Sequence, residues 1–397
     1  MKENTTKVLP TSELSKTIVG EIHERARQEK LTIGLDLGDR ESNFCMVNQA
    51  DEVLVRGTLS TTKAGLNKLF EKMPPARVAM EVGTHSPWVS RQLEGHGLEV
   101  VVANARNVAW ISKSQKKDDR LDAEKLARMA RAGMNWLSPI RHRSEQAQRD
   151  LMVMRARAEV VEARTQLINS VRGLVKSVGE RLASCDSTQV GTSMLAKLNP
   201  VTAAAVKPMM EAIEGLSEQI VEYDKLLEQM TRKYPETEPL MAVHGVGIQV
   251  ALAFVLTIED PKRFGKSREV GAYLGMVPRR KQSGEQDPEL GINKEGDNHL
   301  RWLLVQSAHC ILRKDAADSD LRRWGLEKLG EPEKGGQGKD KGGKSGKNRR
   351  TKGKKRVLVA VARRLAVLLH HLWVSGEVYD PLYQAKQDAL TANKKVA

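Results

Sequence analysis

A chain of 397 residues is too long for one small domain, and at 40% hydrophobic residues it can bury real cores, although aromatics are scarce at 4%. Its 65 Lys and Arg against 50 Asp and Glu leave a net charge of +15, which calls for a polyanionic partner, nucleic acid being the commonest. The scattered Cys45, Cys185 and Cys310 argue against a disulfide framework or a zinc cluster and fit a reducing cytoplasm. The polar, charged N-terminal stretch offers no secretory leader, and the best apolar run, Val357 to Val374, is broken by Arg363 and Arg364, so no membrane span is expected.

Residues 1–29 read as a polar lead-in with room for one helix. From residue 30 the period becomes that of strands: LTIGLDLG, ESNFCMVN and EVLVRGTLS, split by turn residues. A helix over 61–72, the strand RVAMEV, a helix over 88–95 and the strand LEVVVA follow, then helices over 104–113 and 119–132. Three antiparallel strands followed by alternating helices and strands are the order of an RNase H-like fold, placed here over 30–142. From 143 to 234 the pattern is helical. Leu151, Met154, Ala158, Val161, Thr165 and Ile168 recur at spacings of three and four, as do Ile213, Leu216, Ile220, Tyr223, Leu227 and Met230. That spacing makes a narrow seam, either a coiled coil with a second chain or a hairpin packing on itself. Residues 235–330 form a third, mostly helical block. Residues 331–356 carry eleven basic against three acidic side chains, over half of the net charge of +15. Such a Gly/Lys tract is expected to be disordered and to act as an electrostatic arm. An amphipathic helix and tail close the chain over 357–397. The expected class is α+β and multidomain, with an RNase H-like domain, a coiled-coil linker and a mostly α C-terminal domain.

Asp36 sits in the apolar strand IGLDLG, where an unpartnered carboxylate is costly to bury and a metal ion would supply the partner. Glu81 ends the strand RVAMEV. Asp119 and Asp122, three apart at a helix start, share one face, with Asp118 as a competitor for the register. Four such carboxylates suit two Mg or Mn ions on a phosphodiester. Asp119 and Asp122 also suit plain helix capping and dipole roles. IGLDLG would equally open an actin-like ATPase or sugar kinase, but the later glycine-rich and adenosine motifs of that class are missing.

In the third block, HGVGIQ sets Gly245 and Gly247 in a turn between apolar helices, either a helix-hairpin-helix contact to phosphate or a tight packing turn. PRRKQSGEQDPELG places Arg279, Arg280 and Lys281 just before Ser283 and Gly284, so that cations could hold a phosphate beside an exposed hydroxyl. Ser-Gly is equally an ordinary loop dipeptide. No neighbouring His or Asp suggests a protease-like triad.

Read in order, IGLDLGDRES, AMEVGTHSPW, KKDDRLDAEKLA, HGVGIQVALAFVLTIEDPKRF, VGAYLGMVPRRKQSGE and HLRWLLVQSA closely resemble the IS110 family of DEDD transposases, from about Leu31 to the C-terminal helix. The resemblance implies a RuvC-like, RNase H-fold first domain, a coiled-coil linker and a helical C-terminal transposase domain. It implies the acidic tetrad Asp36, Glu81, Asp119 and Asp122 and the nucleophile Ser283, which forms a 5′-phosphoserine link to DNA. It further implies donor element ends and target DNA as substrates, a structured guide RNA from the element, and a homodimer or homotetramer in which the acidic site of one subunit completes the serine site of another. Two departures stand out: the acidic GEQDPELG after Ser283, and a Gly/Lys insertion longer than the family pattern needs. The expected function is thus metal-dependent DNA strand cleavage and rejoining for a bacterial insertion sequence. The rivals are a Holliday-junction resolvase-like nuclease using the tetrad alone and an inactive nucleic-acid-binding module.

Overall fold

The computed structural model describes residues 7–9, 16–104, 119–279, 290–330 and 345–388. They fall into two compact units, Met1–Glu145 and Gln146–Ala397.

The first unit is built on a mixed sheet. Its strands are β1 (Lys7–Leu9), β2 (Thr32–Asp36), β3 (Glu41–Val47), β4 (Val53–Ser60), β5 (Arg77–Glu81) and β6 (Glu99–Ala103), in the spatial order β1-β4-β3-β2-β5-β6. The β2–β3–β4 meander is antiparallel, while β5 and β6 run parallel to β2. The helices are α1 (Lys16–Gln28), α2 (Lys63–Phe70), α3 (Ser86–Gly95) and α4 (Asp119–Ala132). This arrangement is consistent with an RNase H-like N-terminal domain.

Strand periodicity sorts the residues of this sheet by size. Large side chains such as Ile33, Leu35, Phe44, Met46, Val78 and Met80 point to one face, where they form one core with Ile22 of α1, Leu66 and Phe70 of α2 and Leu93 of α3. The opposite face is nearly bare: Gly34, Cys45 and Ala79 alternate with the large residues and meet the alanines of α4, Ala123, Ala127 and Ala130. A Cβ on Gly34 would lie 1.9 Å from the Ala123 carbonyl oxygen and 2.6 Å from the Ala127 nitrogen. Only glycine there lets the α4 backbone rest on β2, and that contact carries Asp122 to the C-terminal end of the strand.

The lead-in belongs to this unit. β1 adds a sixth strand parallel to β4, and α1 buries Ile22, His23 and Ala26, with the His23 Nε2 2.8 Å from the Leu69 carbonyl. The helix expected over 104–113 lies outside the described residues.

In the second unit α5 (Glu145–Ser177) and α6 (Pro200–Lys233) form an antiparallel hairpin. Arg157 pairs with Asp224 at 2.7 Å and Lys233 with Asp150 at 2.7 Å, and Arg164 donates to the Ser217 hydroxyl at 3.2 Å. The hairpin therefore packs on itself. Its seam buries Leu151, Met154, Ile168, Val171 and Val175, but Arg164 takes the place expected for Thr165, which is exposed. After Val161 the seam steps by three and then four. The sequence suggested four and then three, because a hydroxyl at the seam looks easier to bury than a guanidinium. Arg164 is accommodated by the Ser217 and Ser187 hydroxyls, and its desolvation pushes its pKa down.

The open end of the hairpin joins the main helical core. Ala147, Leu151, Met154 and Leu227 pack with α7 (Thr237–Met241), α8 (Ile248–Ile258), α9 (Val270–Tyr273) and α10 (Asn298–Ile311). Two more helices, α11 (Asp320–Gly330) and α12 (Ser345–Ser375), complete it. α12 is long and apolar enough by composition to resemble a membrane span, yet Leu358, Val361, Leu365, Leu369 and Leu372 are buried in this core. It begins at Ser345, so residues 345–356 are helical where the sequence suggested no fixed structure. The final helix is an integral part of the unit.

Candidate active site

Asp36 and Glu81 meet because their strands are neighbours in register. Leu35 pairs with Met80, so the next residue of each strand emerges at the same C-terminal edge. There both carboxylates line a cleft of about 350 Å³, together with Leu37, Asp39 and the turn Val82 to His85. Asp122 reaches the same region from α4. Burial, and after it the charge of Asp122, pushes the Glu81 carboxyl above its ordinary value of 4.5. Asp122 in turn holds the ammonium of Lys125 at 2.9 Å. Asp119 is one turn earlier on α4, and its side chain lies outside the described residues.

Among the described residues no three His, Cys, Asp or Glu side chains close around a single point, so the carboxylates form an acidic cleft and not a finished cage. The donor set nevertheless fits a hard divalent cation. Asp36, Asp39 and Glu81 offer hard carboxylate oxygens, and the part of the Glu81 shift that comes from Asp122 is relieved by positive charge, which Lys125 already supplies to Asp122.

The cleft has a polar frame that the sequence did not single out. The Trp88 indole N–H donates to His85 Nδ1 at 3.1 Å, which leaves Nε2 to carry the proton of the neutral ring and face Asp39 at 3.4 Å. His85 thus presents an N–H donor among carboxylates. Beneath it, the Ser86 hydroxyl donates to the Gly83 carbonyl at 2.9 Å and accepts from the Gly83 N–H at 3.0 Å. Its single proton is thereby spent, so His142 Nε2, 3.0 Å away, is the donor to Ser86. Burial, with Arg91 and Arg143 nearby, pushes the His142 pKa down and keeps the ring neutral. The loop after Glu81 is fixed at both ends. A signal existed in GTHSPW, where Ser precedes Pro at a helix start, but only the fold brings His142 to it.

Ser283, Arg280 and Lys281 lie outside the described residues, whereas the chain segments on either side of them pair with each other. The Arg279 N–H donates to the Gly291 carbonyl at 3.0 Å, Pro278 bridges to Ile292, and the Asn293 N–H donates to Val277 at 2.9 Å. Below this ladder two chain segments touch backbone to backbone. Gly275 (φ +68) and Gly296 (φ +82) would place a Cβ 1.9 Å from the Glu295 oxygen and 2.1 Å from the Tyr273 oxygen respectively. The buried Arg301 locks the pair, donating to the Leu274 carbonyl at 2.8 Å and the Glu295 carbonyl at 2.9 Å. Asp297 caps α10 through the Leu300 N–H at 3.0 Å and pairs with Arg155 at 3.1 Å. Arg301 was not foreseen, because within HLRWLLVQSA an arginine on an apolar helix reads as a solvated side chain.

The glycine turn at 245–247 has a packing explanation for its first residue. Gly245 (φ +83) would bring a Cβ within 3.0 Å of the Ser307 oxygen and 3.3 Å of Cys310 on α10. Gly247, at the start of α8, has open space around it.

Comparison with known proteins gives two family matches. Residues 33–179 match the DEDD transposases of the IS110 type, and residues 237–322 match the transposases of the IS116/IS110/IS902 family. A "probable family 20 transposase" of Pseudomonas aeruginosa is 29% identical, over 74% of this chain and 87% of its own. The transposase for insertion sequence element IS1111A of Coxiella burnetii is 25% identical, over 77% and 84%. The transposase for insertion sequence element IS1328 of Yersinia enterocolitica is 26% identical, over 71% and 84%.

Proposed function

The chain belongs to the IS110 family of transposases, and from that premise we propose that it cuts and rejoins DNA through a covalent phosphoserine intermediate. The observation that carries the reading is the acidic cleft, with Asp36 and Glu81 on adjacent strand ends and Asp122 coupled to Glu81 through its charge. In this reading the first unit is a RuvC-like RNase H domain. Asp36, Glu81, Asp119 and Asp122 would hold Mg or Mn. Bound there, such ions polarise a phosphate and neutralise charge on its oxygens.

The remaining chemistry belongs to side chains. The Ser283 oxygen attacks phosphorus while the bond from phosphorus to the 3′ oxygen breaks. The hydroxyl proton passes to solvent, and the departing 3′ oxygen takes one up. The products are a 5′-phosphoserine and a free 3′-hydroxyl. Attack by another 3′-hydroxyl reverses the step and joins strands without ATP, which a nuclease does not need. Arg279, Arg280 and Lys281 flank the serine and would stabilise charge on the transferred phosphate. Donor element ends and target DNA are the substrates, a structured RNA of the element guides the pairing, and a homodimer or homotetramer brings an acidic cleft to a serine loop.

The test traps the reaction with denaturant and looks for DNA-shifted protein in wild type, Ser283→Ala and Asp36→Asn. An adduct in wild type alone is expected. An adduct persisting in Ser283→Ala would mean that another side chain attacks. Cleavage with no adduct in wild type would favour the resolvase-like nuclease.

A further inference from the structure

A groove of about 1800 Å³ runs across the second unit, apart from the carboxylate cleft. One wall is a stripe of α12, where Arg356, Ala360, Arg363, Val367 and His371 follow one another at spacings of three and four. The facing wall holds Trp324 of α11 and Tyr379 and Tyr383 of the C-terminal segment. One end is the neck of the Ser283 loop, through Pro278, Arg279 and Ile292. Cations and apolar groups alternate along the groove.

Basic side chains outnumber acidic ones along this groove. Arg268, Arg279, Lys294, Lys355 and Arg363 line it and pair with no carboxylate among the described residues. Its carboxylates are fewer, Asp320, Glu327, Asp380 and Asp388, and Asp380 is already paired with Lys386. Tyr383 is 59% exposed, and the Arg364 guanidinium lies 3.8 Å over the Trp324 ring. Clustered like charges and the exposed Tyr383 ring are each unfavourable in water. A ligand with regularly spaced negative charges and flat apolar faces relieves both.

We propose that this groove binds single-stranded DNA, its phosphates on the α12 cations and its bases against Tyr383 and the apolar floor. A duplex offers the phosphates but keeps its bases stacked inside, leaving the floor unmatched. The choice of DNA rests on the proposed function, because the groove opens at the neck of the loop that carries the nucleophile. A strand lying there is one whose phosphate can be delivered to Ser283.

The experiment measures binding of fluorescein-labelled oligothymidylate to the full chain by anisotropy, without divalent ions, against a matched duplex and oligouridylate. Replacing Arg268, Lys294 and Lys355 together by alanine removes three phosphate contacts. It should weaken oligothymidylate binding roughly tenfold or more and flatten the slope of log K against log salt by about 2. Tyr383→Ala should weaken the single strand roughly fivefold or more and the duplex by less than about twofold. If the triple variant fails to fold, Lys294→Glu is read the same way. An unchanged slope, equal losses for single strand and duplex, or tighter binding of oligouridylate would overturn the proposal. So would a changed oligomeric state in sedimentation with unchanged oligonucleotide affinity, since the groove would then seat a second copy. Adduct formation is scored separately. An intact adduct with no groove effect sinks only the groove, and groove binding with no adduct sinks only the phosphoserine route.

Discussion

Gly34→Ala tests whether the acidic cleft depends on how closely α4 lies on β2. The new methyl carbon would stand 1.9 Å from the Ala123 carbonyl oxygen, where ordinary contact begins at 3.4 Å. The obstructing atoms are backbone, so no side chain can swing away, and α4 must move by more than about an ångström or β2 must bend. Overpacking of this kind costs about 1–3 kcal/mol, and for a domain of this size each kcal/mol lowers Tm by roughly 2–4 °C. A fall of about 3–10 °C is expected. Asp122 rides on the displaced helix, and a misplacement of about 1 Å in a catalytic constellation can cost on the order of a hundredfold in rate. Calorimetry and strand cleavage per folded protein are measured together, with Gly173→Ala as the control. Gly173 lies within α5 and has nothing within 4 Å of its would-be Cβ, so alanine there should be neutral or stabilising. Wild-type melting and wild-type cleavage in Gly34→Ala would refute the account of how the cleft is assembled.

Removing the crowded charge should stabilise the protein and silence it. The Glu81 pKa is raised in the fold, so its favourable contribution is present below the ordinary value of 4.5 and is lost as pH rises through the higher folded value. Glu81→Gln should therefore melt above wild type at neutral pH without metal and level with it near pH 4, while cleavage falls on the order of a hundredfold or more; a lower Tm at neutral pH would contradict the sign. Arg301→Met leaves the Leu274 and Glu295 carbonyls without their donor and should cost about 2–4 kcal/mol in urea unfolding. Its adduct yield should fall further than the loss of folded protein explains, and a yield that merely tracks folding would deny the neck a positioning role. EDTA should abolish cleavage but leave oligothymidylate binding intact, and a common loss would tie both to one metal-dependent surface.

Much of the layout of the acidic cleft was readable because strands announce themselves by period. Asp36 and Glu81 interrupt apolar runs at their ends, and the α4 segment reads as a helix over 119–132, as observed. What stayed hidden depends on what lies across space. Gly34 is one glycine in IGLDLG until α4 is seen resting on it. β1 is three residues in a polar stretch, too short to show alternation, and only its pairing with β4 defines it. Glycine and lysine disguised the start of α12, since glycine is a poor helix former and like charges repel along a helix. Yet the helix continues back from a deeply packed core segment, which supplies what propensity lacks. Arg164 misled the seam for a related reason, because hydroxyl partners on another helix and loop cannot be counted from a linear pattern.

The two sites set opposite electrostatic problems for one polyanionic substrate. The cleft holds Asp36 and Glu81, and burial, with the charge of Asp122 after it, raises the Glu81 pKa before any phosphate arrives. In the proposed function its affinity for a phosphate is conditional on bound cations, since Lys125 neutralises only part of its charge. The proposed groove is the reverse: its basic side chains outnumber its carboxylates, so in this reading it holds a strand with no metal present. If both proposals hold, binding and cutting come under separate control: a strand is held on the second unit at any time, and the acidic cleft accepts phosphate only once divalent ions are in place. For an enzyme that must not cut DNA wherever it lands, a cleft that resists its own substrate is a useful property, and the raised pKa of Glu81, from burial first and the charge of Asp122 second, is in keeping with it.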